Sequence, residues 1–101
     1  MTWAEARNEL RKMRDLKDDW DGEGTAAPGA LLIDRAFIVA NCLDSNGYPP
    51  PNRVHVTVNA TICFEWFHDS VYQEAEVVSD WKVEWRWCPR TVNQSNAARQ
   101  E

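Results

Sequence analysis

The chain has 101 residues, 44% of them hydrophobic and 27% charged, which fits one globular domain and is too short for two. A net charge of −5 argues against a general affinity for nucleic-acid phosphates, and no apolar run approaches bilayer-spanning length. Cys42, Cys63 and Cys88 are odd in number, widely spaced and without a C-x-x-C pair, which fits free thiols in a reducing compartment better than a disulfide framework; with only His55 and His68 besides, a zinc site is unexpected. Met1-Thr2-Trp3-Ala4-Glu5 lacks the basic and apolar regions of a secretory leader, so the sequence predicts a soluble cytoplasmic protein.

Thr2-Trp3-Ala4-Glu5 reads as a capping box. Trp3, Ala6, Leu10, Met13 and Leu16 then recur at spacings of three and four, predicting an amphipathic helix to about Lys17. Its basic residues, Arg7, Arg11, Lys12 and Arg14, are interleaved with Glu5, Glu9, Asp15 and Asp18. That pattern suits a solvated face better than a nucleic-acid groove reader.

Asp18-Asp19-Trp20-Asp21-Gly22-Glu23-Gly24 follows. Gly22 and Gly24 admit sharp turns, the aspartates can bond neighbouring amides, and Trp20 is expected to fold back between the helices as an anchor. Asp19, Asp21, Glu23 and Gly24 also match the first, third, fifth and sixth positions of an EF-hand loop, but Ala30 stands where the bidentate glutamate belongs. A structural corner is therefore preferred to a metal loop, and no cofactor is expected.

Pro28 suits the first turn of a second helix, predicted over residues 29–43. Ile33, Ala36, Phe37, Ala40 and Leu43 make one face, while Leu31, Leu32, Ile38, Val39 and Cys42 populate the others. So apolar a helix needs cover on more than one side, from a partner, a second copy or the chain's own tryptophans. Asp44-Ser45-Asn46-Gly47 supplies the stop, and Tyr48-Pro49-Pro50-Pro51 a stiff connector.

From Arg53 the period becomes two. Val54, Val56 and Val58, then Ile62, Phe64 and Trp66, then Val71, Ala75 and Val77, then Trp81, Val83, Trp85 and Trp87 mark four strands, with turns at Asn59, Asp69-Ser70 and Ser79-Asp80. A loop from Asn59 to Thr61 sets Val56 opposite Phe64 and His55 opposite Glu65. A turn at Asp69-Ser70 sets Phe64 opposite Ala75. A loop from Val78 to Asp80 sets Val77 opposite Trp81 and Glu76 opposite Lys82, and all four strands then share one apolar face. The prediction is an α+β domain over residues 1–88, with two N-terminal helices on one face of a four-stranded antiparallel meander (ααββββ), and a flexible polar tail over 89–101. In this register most tryptophans are buried. The His55–Glu65 pair reads as a surface contact, since neither a nucleophile nor a second base stands beside it.

Trp20-Asp21-Gly22-Glu23-Gly24-Thr25-Ala26-Ala27-Pro28, an apolar helix, a proline-rich joint, a strand ending Phe64-Glu65-Trp66 and a last hairpin rich in Glu and Trp together resemble small uncharacterised bacterial and mobile-element proteins with a W-D-G-x-G-A-x-P … L-E-W pattern. The likeness spans about residues 10–87. Asn59-Ala60-Thr61 departs from it, because a glycine usually precedes the strand that carries Glu-Trp. The resemblance implies no activity or cofactor; it singles out Trp20, Asp21, Gly22, Gly24, Glu65 and Trp66 as candidate interaction or structural residues. Small size, acidity, six Trp and the absence of a catalytic constellation point to a non-enzymatic module that binds another protein or itself, of an accessory, antitoxin-like, immunity-like or inhibitor-like kind. The alternative is nucleic-acid binding through sheet aromatics with basic residues alongside.

Overall fold

A computed structural model describes residues 1–89, for 88 and 89 the backbone only. Two helices precede a four-stranded antiparallel sheet of order β1-β2-β3-β4, so the ααββββ expectation holds. The tail expected over 89–101 lies outside the described residues, apart from Pro89, which ends the last strand.

Helix α1 spans Trp3–Met13 and opens on the expected capping box: Thr2 Oγ1 accepts from the Glu5 amide at 3.0 Å, and the Thr2 amide donates to Glu5 Oε1 at 2.7 Å. It stops one turn before Lys17. The amides of Arg14, Asp15 and Leu16 bond three residues back, which tightens the chain into a turn. Helix α2 spans Ala30–Ser45; Gly29 is its N-cap, and Pro28 lies buried before the helix rather than within its first turn. At its other end Gly47 has φ +76°, the Tyr48 amide bonds the Leu43 carbonyl and the Gly47 amide bonds that of Asp44. That is a Schellman stop.

Strands β1 (Arg53–Val56), β2 (Ile62–His68), β3 (Val71–Ser79) and β4 (Lys82–Pro89) form the meander. The β2–β3 register is the predicted one, Phe64 facing Ala75 and Ile62 facing Val77. The two outer registers each differ by two residues. Val56 faces Ile62 and His55 faces Cys63, because β1 ends at Val56 and the connection closes over 57–61, with the Thr57 amide bonded to the Thr61 carbonyl. Val77 faces Val83 and Glu76 faces Glu84, because an irregularity between Val77 and Ser79 moves the turn to Asp80-Trp81. The expected Glu76–Lys82 pair is therefore absent; Lys82 pairs with Glu84 on its own strand, and Glu76 with Arg86. A shift of two keeps every side chain on its face, so the apolar layer survives.

That layer is Trp3, Ala6, Leu10 and Met13 from α1, Leu32, Ile33, Ala36 and Ala40 from α2, and Val54, Ile62, Phe64, Trp66, Ala75 and Val77 from the sheet. Alanines where α2 faces α1 and the sheet allow close approach. Arg7 ties α1 to α2 through Asn41 and Asp44, Arg14 through Asp34, and Arg11 and Arg14 both lie over the Phe37 ring. Only Trp3 and Trp66 are buried; Trp20, Trp81, Trp85 and Trp87 are exposed, against the expectation of burial. The helices pack on β1, β2 and β3, which leaves the helix-side face of β4 at the margin.

Candidate functional site

The singled-out residues do not meet in one site. Trp66 is a core residue whose indole N–H donates to the Pro49 carbonyl at 2.8 Å. Its neighbour Glu65 points to the other side of the sheet, as strand alternation requires. Trp20, Asp21, Gly22 and Gly24 lie in the loop between the helices.

In that loop the aspartates do the fastening, and Trp20 does not plug the corner. Asp18 Oδ1 accepts from the Ala27 amide at 3.0 Å and Asp19 Oδ1 from the Gly24 amide at 2.7 Å. Asp21 Oδ1 accepts from the Glu23 and Thr25 amides, and its Oδ2 from the Thr25 hydroxyl. The Thr25 hydroxyl first, and then the Glu23 amide, hold the Asp21 carboxyl below its ordinary range. Gly22 and Gly24 have φ +75° and +82°, which explains their presence. Trp20 lies beside Met13, Leu16 and Val54 on the rim of a cleft between α1 and β1, not between the helices: short polar bonds close the loop before the indole can reach the core. Asp19 and Asp21 thus spend oxygens on the loop's own amides, and with Glu23 they form no ligand-like cluster among the described residues.

The sheet face turned away from the helices carries a charged network. Arg86 reaches Glu74, Glu76 and Glu84, and Thr61 Oγ1 donates to Glu76. The Thr61 hydroxyl, then Arg86, lowers the Glu76 carboxyl against the opposing effect of burial. The Tyr72 hydroxyl shares its one proton between the Glu65 and Glu74 carboxylates; burial and these two acceptors push its ionisation up. Cys63 and Glu65 are buried here. Burial, then the charges of Glu74, Glu65 and Glu76, push the Cys63 thiol up to about 12. His55 Nε2 lies 3.2 Å from Glu65 Oε2, so the predicted pair is in contact, although diagonally rather than directly across the ladder.

The helix side of β4 is the third feature. Trp85 stacks on Trp66 at 5.8 Å, and Tyr48 meets both rings edge-on. Beyond Trp85, a groove between α2 and β4 is lined by Arg35, Ile38, Val39, Trp81 and Val83. Arg35 holds its end by donating to the Asp80 carbonyl at 2.5 Å. The sequence placed Trp81, Val83 and Trp85 on the apolar sheet face, and Ile38 and Val39 on the outer faces of the second helix, but could not show that the helices stop short of β4. The visible signal was an apolar α2 with too little chain to cover it.

Among the described residues no helix is long and apolar enough to cross a membrane. Comparison with protein-family models, curated proteins and solved structures found no match.

Proposed function

We propose that the protein is a non-enzymatic interaction module that binds protein, a second copy of itself first, along the aromatic margin of α2 and β4. The carrying observation is exposure: Trp81 is 77%, Trp87 68%, Trp85 46% and Ile38 51% open to solvent along this margin. A contiguous aromatic and aliphatic surface is the anchor type found at protein interfaces. β4 is also an edge strand, and among the described residues no strand pairs with its outer side. Antiparallel pairing of two β4 strands about Trp85 sets Glu84 opposite Arg86 of the second copy twice, and Val83 opposite Trp87. Centring on Glu84 instead sets like charges against each other.

A catalytic reading has less support. The thiol of Cys63 is held far above neutral pH, and His55–Glu65 lacks a nucleophile beside it. A nucleic-acid reading gains from the exposed tryptophans, which base stacking needs. It loses because the cations beside them are already engaged, Arg86 and Lys82 with glutamates and Arg35 with the Asp80 carbonyl.

Sedimentation equilibrium of the full chain tests the proposal. Dimerisation at micromolar protein, weakened at least tenfold by Trp87→Lys with unchanged circular dichroism, is the expected result. A strict monomer at several hundred micromolar overturns self-association. Quenching of tryptophan fluorescence by a single-stranded oligonucleotide, weakening with salt, would favour the nucleic-acid reading instead.

A further inference from the structure

The sheet face opposite the helices brings together three side chains far apart in sequence. His55 of β1 faces Cys63 of β2 across the ladder, and Glu65 follows two residues along the same face. The imidazole, thiol and carboxylate ligand atoms all lie within 4.8 Å of one another. Glu65 is 8% exposed, and its Oε1 accepts no hydrogen bond; His55 Nε2 is likewise buried without one, its 3.2 Å approach to Glu65 Oε2 being an ion-pair contact only. A buried carboxylate oxygen and ring nitrogen left in this way are costly to the fold, and both can offer a lone pair to a metal ion.

We propose that His55, Cys63 and Glu65 bind a divalent transition-metal ion, zinc foremost, which fastens the short edge strand β1 to β2. One nitrogen, one sulfur and one oxygen form a borderline-soft set that suits zinc rather than calcium or magnesium. Ligand atoms on a tetrahedral ion stand roughly 3.5 Å apart, so small torsional adjustments close the set, and water takes the fourth position. Binding displaces the Cys63 thiol proton to solvent. Glu74 and Glu76 add negative charge nearby, and the Tyr72 hydroxyl orients Glu65 from behind at 2.8 Å. Two cations oppose the ion. Arg86 is held by its three glutamates, whereas Arg53, 3.6 Å from Glu65 Oε1 with a largely exposed side chain, can turn outward.

Cobalt and zinc titrations of the full chain test this, with Cys42 and Cys88 replaced by serine so that Cys63 is the remaining thiol. One cobalt ion per chain should produce a near-ultraviolet thiolate-to-metal charge-transfer band that zinc abolishes. Zinc should raise the melting temperature and slow amide exchange in β1. His55→Gln, at a half-buried position and the mildest change, should weaken zinc at least tenfold; Cys63→Ser should remove the band. Absence of the band in the folded protein overturns the proposal, and so does zinc stabilisation that survives both His55→Gln and Glu65→Gln.

Discussion

The indole of Trp66 donates to the Pro49 carbonyl at 2.8 Å, and that of Trp3 donates to the Tyr48 carbonyl at the same distance. Two tryptophans, one from α1 and one from β2, thus clamp adjacent carbonyls of the proline connector, which has few amide donors of its own. Trp66→Phe removes one hydrogen bond and part of a buried ring, and should cost roughly 2–3 kcal/mol. Trp3→Phe should cost somewhat less. The double variant should fall short of the sum, because both act on one segment. Urea unfolding of the four proteins gives the comparison.

Ala60 sits at φ +62°, with its amide bonded to the Thr57 carbonyl at 3.0 Å. A left-handed alanine costs about 1–2 kcal/mol, part of which glycine returns as unfolded-state entropy. Ala60→Gly should therefore stabilise by up to about 1 kcal/mol, read as a raised denaturation midpoint at unchanged slope.

Thr61 gives the fold a pH dependence. Its hydroxyl lowers the Glu76 carboxyl below its ordinary value of 4.5. In the window between the folded and unfolded values the native state binds fewer protons than the unfolded one, so this contribution is present above 4.5 and is lost as pH falls through the depressed folded value. Thr61→Val should cost about 1–3 kcal/mol at neutral pH. The gap from wild type should narrow as pH falls below 4.5; a gap independent of pH would assign the cost to packing around the threonine instead.

The loop from Asp18 to Thr25 separates the two ways in which it could be held. Asp21→Ala should expose the Glu23 and Thr25 amides to rapid hydrogen exchange, whereas Trp20→Ala should leave their protection nearly unchanged. Acidification should reproduce the Asp21→Ala effect, since a depressed carboxyl loses its acceptor role only once pH falls to its folded value.

Alternation from Val54 to Trp87 made the fold legible, because the period of two assigns faces whatever the register. It also assigned Phe64, Ala75 and Val77 to the core. Partners across the outer ladders were not legible. They depend on where β1 stops and on the irregularity after Val77, which are backbone events with no marker as clear as glycine. That two-residue offset puts Cys63, rather than Glu65, directly across from His55. Trp20 misled for a different reason: its size suggested burial, whereas the aspartates around it set the loop's path.

Arg86 is the hub of the charged face, the single cation that Glu74, Glu76 and Glu84 share. Glu76 first, and then Glu74, hold the Arg86 guanidinium in its charged form, and its plane matches theirs. Arg86→Leu takes the paired cation from Glu74 and Glu76, while Glu84 keeps Lys82 at 3.2 Å. The direct loss is small, roughly 1 kcal/mol at a part-exposed site, but mutual repulsion adds to it. The deficit should shrink in molar salt, which screens the repulsion. Arg86→Lys should recover only part of the stability, because one ammonium cannot bridge three carboxylates in a plane. Thermal unfolding at low and high salt distinguishes these outcomes: a deficit of equal size in both would mean that Arg86 acts through the packing of its aliphatic stem against the sheet.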